Sequence, residues 1–538
     1  MAEKIDVRPR NLRSLIDEIE VGLLKIPQFQ REVVWDLPDC VKLIDSVYKC
    51  FPIGSLVIWE TYEKLADVRS IGNITLPLPP DGRKPSYVLD GQQRLTALYA
   101  CAKEASVKRK NRRNPIPYVA WYDFEKDEFT HLKPEIGVTF RQLISDNYDP
   151  FRDPLPEIYK PIFTKVRTVL LEKYKFACVE IDERDLEQAC IIFERINNSG
   201  KKLTVFDLLV AKLYPFSFDL RAKWKELEKS LKHFDGLNPI LPMQSISLKT
   251  IRLDEDKTSS EFEKYGCHKR HLLKIDSTYV SENWEEVTEC FKLALDFAQT
   301  RLGIAEYDLL AYEPTIPLIT LFFLLNDHKG PNGNQAIWLE RYFWRSCISA
   351  RYSSSPESSM EEDGLLIREI QRNGSPALLK VNQVTPEMIL DARYDRRDGF
   401  VLTILAMLAS RKPRSFKSST LIPIPTSFSK YNATELHHIF PRGWLKRTGK
   451  KDWLDKEHSL ANICMAPAKE QRHEIAAKPP SEYLEMFSTS NPQLDLALES
   501  HLLNGELEKY LKKDQFDDFL KARAKVMADK LNSLAGLD

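Results

Sequence analysis

The sequence of 538 residues lacks the marks of several specialised classes of protein. Glycine and proline, at 19 and 32 residues, are at ordinary globular levels, which excludes a collagen-like or mainly disordered chain. The nine cysteines are odd in number and have no C-x-x-C spacing, which argues against a disulfide framework and against a thiolate zinc cluster. We therefore expect a cytoplasmic protein in a reducing environment, with about three to four domains at ~150 residues each.

The chain also lacks net charge and long apolar runs. Its 78 basic residues balance 78 acidic ones, so a nucleic-acid surface has to arise from local segregation of charge. The N-terminus has no apolar segment typical of a signal peptide, and the apolar runs at residues 316–325 and 400–409 are too short to span a bilayer. Both runs are predicted to be buried helices, and no membrane partner is expected.

The hydrophobic pattern changes twice along the chain and predicts three regions. Residues 1–215 mix short strands with helices, residues 216–409 are mainly helical, and residues 410–538 form a last domain that begins with a Pro/Ser/Lys-rich linker. The predicted fold class is therefore α+β, in several domains.

Individual elements are predicted within each region. The first region should contain strands at residues 54–59, 87–89 and 176–181, and helices that start at Asp36 and Thr204. The second should contain helices at residues 283–302 and 336–351 and should be interrupted after them by an exposed, Ser-rich and acidic loop at residues 353–363. The third should end in a charged amphipathic helix near residues 506–534.

A short motif, DGQQR, follows the predicted strand 87–89 and precedes a good helix-forming segment. Such a turn points the free N–H groups of a helix start at one spot, where an anion is favoured. Gly91 permits close approach, and Arg94 offers a fork that could bind phosphate. The alternative is that Asp90 only caps the helix and Arg94 pairs with a surface carboxylate.

Two further segments carry polar clusters on an apolar frame. Residues 26–31 read IPQFQR and end in Gln30 and Arg31, and residues 193–203 read FERINNSGKKL. The second segment reads as the end of an amphipathic helix that presents phosphate-binding side chains, namely Arg195, Asn197 and Lys201. The alternative is a helix C-cap with solvated lysines.

Taken together, these three ordered motifs resemble the N-terminal domain of GmrSD-type, modification-dependent restriction systems, over about residues 10–215. The resemblance implies a fold related to ParB and sulfiredoxin. It also implies that DGQQR is a site where a nucleoside triphosphate is bound and hydrolysed. By this resemblance the nucleotide-binding residues are Asp90, Gly91, Gln92, Gln93 and Arg94.

The second signal is a concentration of histidine, because four of the ten histidines lie within the 37 residues from 437 to 473. The pattern there predicts strands at residues 435–440 and 460–465 and a helix at residues 468–476. Adjacent strand residues point to opposite faces, so His437 and His438 can share a site only if the strand ends or bulges there. The alternative is one buried, hydrogen-bonded histidine and one exposed histidine.

The motifs ELHHIFP, HSLANICMAP and AAKPPSEYLEMF resemble the HNH, or His-Me finger, nuclease domain that forms the other half of GmrSD systems. That superfamily has a ββα-metal hairpin. The resemblance implies His438 as general base, Asn462 as the residue that orients its loop or imidazole, and His437 as a ligand of Mg²⁺ or Mn²⁺. Where the family usually carries Asn in the helix, this chain has Arg472 and His473, and His473 is the expected substitute ligand. His458 is expected to be structural.

Local charge around this motif favours a DNA surface. Residues 411–451 contain ten Lys or Arg and one acid, on a chain that is neutral overall. Such a segment is typical of phosphate binding with a steep dependence on salt. The candidate DNA-binding residues are Arg442, Lys446, Arg447, Lys450 and Lys451, together with Gln30 and Arg31 of the first region.

These features together predict an NTP-regulated, metal-dependent endonuclease of the type IV restriction kind, acting on modified foreign double-stranded DNA such as that of phages. Two alternatives stay open. One is a nucleotide-switched DNA-binding protein with a degenerate nuclease domain, and the other is a non-catalytic scaffold of a defence complex. The sequence leaves open a homo-oligomer.

Overall fold

A computed structural model describes most of the chain. The described residues are 5–26, 35–62, 70–80, 82–107, 114–182, 204–250, 266–374, 376–394, 398–424, 437–467, 470 and 474–537. They form two compact units, Met1–Arg221 and Ala222–Asp538. Nearly all of the predicted helical region and all of the predicted last domain fall in the second unit.

The first unit contains a five-stranded mixed sheet in the order β1-β12-β3-β6-β2. Its strands are β1 (Ile5–Arg10), β2 (Leu24–Lys25), β3 (Leu56–Glu60), β6 (Ser86–Asp90) and β12 (Phe176–Asp182). Strand β12 pairs antiparallel with β1 and parallel with β3, whereas β3 pairs antiparallel with β6. The three strands predicted in this region are therefore confirmed, with ends shifted by one or two residues.

Smaller strands complete the first unit. They are β4 (Ser70–Ile71), β5 (Ile74–Thr75), β7 (Ser106–Val107), β8 (Ile116–Pro117), β9 (Trp121–Asp123), β10 (Glu128–Thr130) and β11 (Gly137–Thr139). Strands β10, β9 and β11 make a three-stranded sheet, while β4 with β5 and β7 with β8 form hairpins.

Several helices accompany the sheets of the first unit, and most of them contribute apolar residues to a shared core. They are α1 (Leu12–Glu20), α2 (Leu37–Tyr48), α3 (Gln92–Lys103), α4 (Phe140–Ile144), α5 (Asp149–Arg152), α6 (Lys160–Thr168) and α7 (Val205–Leu213). The core between them includes Leu15, Ile44, Val88, Leu98 and Phe163. Both predicted helix starts are confirmed, since α2 follows Asp36 and α7 follows Thr204, whose side chain forms a capping box with Asp207.

Helices dominate the second unit, and α8 (Leu220–Ser230) leads into it from the first. The next ones are α9 (Leu241–Thr250), α10 (Lys269–Lys274), α11 (Ser277–Arg301), α12 (Thr315–Leu325), α13 (Gly333–Ile348), α14 (Pro356–Gln371), α15 (Pro386–Asp391) and α16 (Gly399–Ser410). The two apolar runs are buried in α12 and α16, as predicted. Within the described part of the chain, no helix is both long and apolar enough to cross a membrane.

The predicted loop at residues 353–363 is wrong, because helix α14 begins at Pro356 and continues to Gln371. The acidic residues that suggested solvent include Asp363, which is buried. Tyr352 donates a hydrogen bond of 2.6 Å to Asp363 Oδ2, and Arg351 forms an ion pair with the same carboxylate. The sequence pattern therefore predicts solvent exposure for a carboxylate that the folded protein buries and pairs.

The end of the chain folds around a short hairpin of β13 (His437–His438) and β14 (Ile463–Cys464). Helices α17 (Arg442–Arg447) and α18 (Lys451–Asp455) lie between the two strands in sequence, followed by a 3₁₀ turn at Leu460–Asn462. The later helices are α19 (Pro480–Ser490), α20 (Leu494–Ser500), α21 (Glu506–Lys512) and α22 (Phe516–Ala535). The single helix predicted near 506–534 is therefore two helices.

Candidate functional site

The DGQQR motif forms the strand, turn and helix that its sequence predicts. Strand β6 ends at Asp90, Gly91 has a left-handed backbone with φ of +84°, and helix α3 begins at Gln92. A Cβ at Gly91 would lie 2.3 Å from Leu56 Cδ2 and 3.0 Å from Arg94 Nη2. Both the backbone conformation and the close neighbours therefore require glycine at this position.

Arg94 braces this turn through its guanidinium. It donates hydrogen bonds to the carbonyl oxygens of Ile53 at 2.5 Å and Ser55 at 2.9 Å, and its Nη2 lies 3.1 Å from Asp90 Oδ2. The pairing of Arg94 with a carboxylate is the alternative interpretation of the motif. Since these contacts already occupy the guanidinium, Arg94 can support an anion site chiefly by holding the turn in shape.

Several predicted site residues lie outside the described part of the chain. They are Gln30, Arg31, Arg195, Asn197, Lys201 and His473. The other predicted nucleotide-binding residues, 90–94, are described. They lie at the end of β6 and the start of α3, where Gln92 is buried and Gln93 is half-buried.

The two adjacent histidines occupy the whole of β13. His437 pairs with Cys464 and His438 with Ile463, and their side chains leave the strand on opposite faces. The ring of His437 is buried, with 4% of its surface exposed, whereas His438 is half-buried. The strand ends directly after His438, before Pro441, as a shared site requires, although the pairing of the two histidines with β14 shows no bulge between them.

His438 faces His458, a residue that the sequence analysis predicts to be structural. Nε2 of His438 lies 3.2 Å from Nδ1 of His458, and the ring centroids are 5.3 Å apart. Nε2 of His458 lies 3.1 Å from Oε1 of Glu457, and Arg442 Nε lies 3.1 Å from the other carboxylate oxygen. We call these four residues the His438 network. In the sequence, the signal that could have pointed to this contact is the adjacent pair Glu457 and His458, just before the second predicted strand.

Burial dominates the electrostatics of His438. It lowers the pKa of the imidazole to about 4, and repulsion from Arg442, and from His458 and His437 when they are protonated, acts in the same direction. The imidazole is therefore neutral near neutral pH. A neutral imidazole has a lone pair that can accept a proton.

Asn462 is fully buried and binds backbone on both sides of the site. Its Oδ1 accepts a hydrogen bond of 2.9 Å from Phe440 N, and its Nδ2 donates to Phe440 O at 3.2 Å and to Glu457 O at 2.9 Å. The amide thus joins the end of β13 to the segment that carries Glu457 and His458. Its contacts are with the loop and not with an imidazole.

Arg523 of α22 supports the second strand from behind. Its Nη1 donates to Ala461 O at 2.8 Å and Ile463 O at 2.7 Å, and its Nη2 donates to His501 O at 3.1 Å. The guanidinium is fully buried, which lowers its pKa to about 10, so it stays charged at neutral pH. Nothing in the local sequence around residue 523 indicates this role, because its partners are about 20 to 60 residues away.

The described residues do not by themselves assemble a metal centre. No group of three His, Cys, Asp or Glu side chains suited to a metal ion occurs within the described ranges. His437 is one of the two predicted ligands, and the other, His473, lies outside those ranges. The ligand set for Mg²⁺ or Mn²⁺ stays a prediction.

Basic side chains border the His438 network. Helix α17 exposes Arg442, Lys446 and Arg447, and Lys450 and Lys451 follow it on the surface. Arg442 is 57% exposed although it pairs with Glu457, so it connects this basic surface to the histidine pair. Lys450 Nζ lies 3.7 Å from the centre of the Trp453 ring, a cation–π contact that fixes its position.

Comparisons with known proteins agree with the resemblance in the first unit. Residues 12–214 match the family model described as the GmrSD restriction endonuclease, N-terminal domain. The matched range includes the DGQQR turn and nearly all of the first unit. An uncharacterized Methanocaldococcus jannaschii protein, MJ0686, is 26% identical over 609 aligned positions, which cover 98% of each chain. The first unit is therefore similar to a domain of restriction endonucleases, and the similarity to the archaeal protein extends over both units.

Proposed function

We propose that this protein is an NTP-regulated, metal-dependent DNA endonuclease that restricts modified foreign DNA, such as that of phages. The match of residues 12–214 to a restriction endonuclease domain supports a role in defence. The observation that carries the nuclease assignment is the neutral, half-buried His438 at the end of β13, beside a basic surface.

His438 is the general base in this proposal. Its imidazole takes a proton from water, and the oxygen of that water forms a bond to phosphorus. The bond from phosphorus to the leaving oxygen breaks, and a proton from solvent neutralises that oxygen. Asn462 keeps the base in place, since it fixes the backbone just after His438 and just before His458.

A divalent cation, Mg²⁺ or Mn²⁺, held by His437 and His473 would supply positive charge against the phosphate oxygens. We propose this pair of ligands on the strength of the family resemblance.

Double-stranded DNA is the proposed substrate. The basic residues Arg442, Lys446, Arg447, Lys450 and Lys451 would bind backbone phosphates next to the His438 network, and Gln30 and Arg31 would add contacts from the first unit. Arg442 is the closest of them to the histidines, because it shares Glu457 with His458.

The DGQQR turn is the proposed nucleotide site. The start of α3, which follows the left-handed turn at Gly91, suits a phosphate group. Arg195, Asn197 and Lys201 are proposed to complete the site. Nucleotide and modified DNA would then shift the equilibrium of the protein toward the cutting state.

The decisive experiment is a nuclease assay of the full chain on phage genomes that differ in base modification, with and without each NTP and Mg²⁺. We expect cutting of modified genomes only, dependent on metal and changed by nucleotide. His438→Ala should abolish cutting, while His131→Ala, an exposed histidine of the first unit, should leave it unchanged. Equal cutting of modified and plain DNA with or without NTP would refute the regulatory part, and unchanged cutting by His438→Ala would refute the assigned base.

A further inference from the structure

We propose that His458, held by Glu457, is a positioning residue that fixes the tautomer of His438 and so makes Nδ1 of His438 the basic nitrogen. The catalytic consequence rests on the proposed function, but the tautomer is a property of the resting protein. It can therefore be measured whether or not the protein cuts DNA.

The first step concerns the proton on His458. Its Nε2 lies 3.1 Å from Oε1 of Glu457, a carboxylate that is only 6% exposed. A carboxylate oxygen at that distance repels a nitrogen lone pair and attracts an N–H group. The neutral ring of His458 therefore carries its hydrogen on Nε2, which leaves the lone pair on Nδ1.

The second step concerns the nitrogen of His438 that carries the hydrogen. The Nδ1 lone pair of His458 lies 3.2 Å from Nε2 of His438, and two lone pairs would repel at that distance. The arrangement is favourable only if His438 carries its hydrogen on Nε2. In a neutral imidazole the other nitrogen, Nδ1, then has the lone pair that accepts a proton.

The third step is the stabilisation of the charged form. When Nδ1 of His438 takes a proton from water, the ring becomes an imidazolium that still donates from Nε2 to His458. Oε1 of Glu457 stands beyond His458 in the same direction, so the chain from His438 to His458 to Glu457 favours the positive charge that develops. Substitution of His458 should therefore lower kcat more than it changes KM.

The protein holds the segment that bears these two residues in place. Asn462 Nδ2 donates to the carbonyl of Glu457 at 2.9 Å, and Leu460 N donates to Ala392 O at 3.1 Å. Ser459 accepts from Ala461 N at the start of the 3₁₀ turn. The position of His458 against His438 is therefore set by buried backbone contacts, although its own ring is 49% exposed.

The same spacing could arise if both rings shared a metal ion. Such an ion would have only Nδ1 of His458 and Nε2 of His438 as ligands, since Nε2 of His458 contacts Glu457 and no group of three metal-binding side chains occurs among the described residues. The test therefore uses EDTA, under which the hydrogen-bonded arrangement should persist.

The experiment is ¹⁵N NMR of the full-length protein labelled at histidine only, in EDTA at mildly alkaline pH. The spectra of His438→Asn and His458→Gln assign the two rings. We expect His438 and His458 each to show a protonated Nε2 and an unprotonated Nδ1. In Glu457→Leu and His458→Ala, which each remove an acceptor, His438 should lose this single tautomer, while in His458→Gln, whose side-chain oxygen can still accept, it should keep it.

The matching kinetics use the same variants. His458→Ala should lower kcat by roughly 10–100-fold with KM for DNA nearly unchanged, and His458→Gln should recover most of the loss. A proton on Nδ1 of His438 in the wild type, or a tautomer that none of these variants changes, would overturn the proposal. The expected tautomers in a protein that cuts no DNA would instead refute the proposed function and leave the positioning intact.

Discussion

Asn462 and Phe440 exchange two hydrogen bonds, from Phe440 N to Asn462 Oδ1 at 2.9 Å and from Asn462 Nδ2 to Phe440 O at 3.2 Å. The side-chain amide thus acts like one more residue of a strand. It extends a hairpin in which each strand has only two residues. Such a short hairpin would be marginal by itself. The amide is therefore part of what places His438.

The first prediction concerns Asn462→Asp. A carboxylate keeps the acceptor for Phe440 N but faces the carbonyl oxygens of Phe440 and Glu457 without a donor. Because a charge and two carbonyls would be left unsatisfied in the interior, we expect a loss of about 2–4 kcal/mol in the free energy of unfolding, measured by urea denaturation, and loss of nuclease activity.

The matched control is Asn491→Ala, another buried asparagine, which binds Phe416 O and Ser419. It should lower stability by about 1–3 kcal/mol but leave cutting intact under conditions where the protein is folded. Equal activity of the two variants at equal folded fraction would contradict the role of Asn462 at the site.

The second prediction concerns Arg523→Met. The methionine fills part of the space but leaves the carbonyl oxygens of Ala461, Ile463 and His501 without the donors they have now. The gain from removing a buried charge offsets part of this loss, so we expect about 2–4 kcal/mol of destabilisation by urea denaturation. Arg345→Met, which removes donors to Leu379, Ala535 and Gly536, tests whether the effect on nuclease activity is specific to Arg523. Wild-type stability of Arg523→Met would show that these contacts are weak.

The sequence predicts the local elements because their causes are local. Thr204 and Asp207 are three residues apart and form the predicted capping box. The apolar runs of α12 and α16 are buried because nearly all of their side chains are apolar. The turn at Gly91 follows equally from adjacent residues.

The contacts that the sequence does not predict join residues far apart in the chain. The sequence suggests that Asp363 is exposed to solvent, because its buried partner Tyr352 lies 11 residues away in the chain. His458 reads as structural because only the folded chain brings it, from 20 residues away, to His438. The prediction of His438 as general base follows from a motif, whereas its contact with His458 and the contact of His458 with Glu457 are seen only in the folded hairpin.

The third prediction concerns the nucleotide site. Gly91→Ala places a Cβ 2.3 Å from Leu56 Cδ2 at a φ of +84°, so it should destabilise the first unit by about 2–4 kcal/mol and abolish NTP binding. The measurements are urea denaturation and binding of a fluorescent nucleotide. Gly82→Ala is the matched control, because Gly82 has a φ of +76° and no heavy atom within 4 Å of its Cβ position among the described residues. A similar effect of both variants would mean that the backbone conformation alone matters.

The fourth prediction is that His501 makes the free energy of unfolding fall in acid. This buried imidazole lies 2.8 Å from Arg414 O, and burial lowers its pKa from 6.5 to about 4. The unfolded chain takes up the proton first, so the stabilisation is complete above pH 6.5 and is lost as the pH falls toward 4. The loss is on the order of 3 kcal/mol. His501→Gln should flatten that part of a plot of unfolding free energy against pH, whereas His131→Gln, at an exposed position, should not.

The fifth prediction concerns the basic surface beside the His438 network. Lys446 is exposed on α17, and binding of a phosphate there would release condensed counterions from DNA. Lys446→Ala should therefore weaken binding to all DNA sequences alike and reduce the slope of log K against log salt by about one, measured by fluorescence anisotropy at several salt concentrations. Lys509→Ala, at an exposed position on α21, should leave the slope unchanged. An unchanged slope for Lys446→Ala would show that DNA phosphates do not contact this part of helix α17, and a phosphate would then have to reach His438 past Arg442 at the start of the helix.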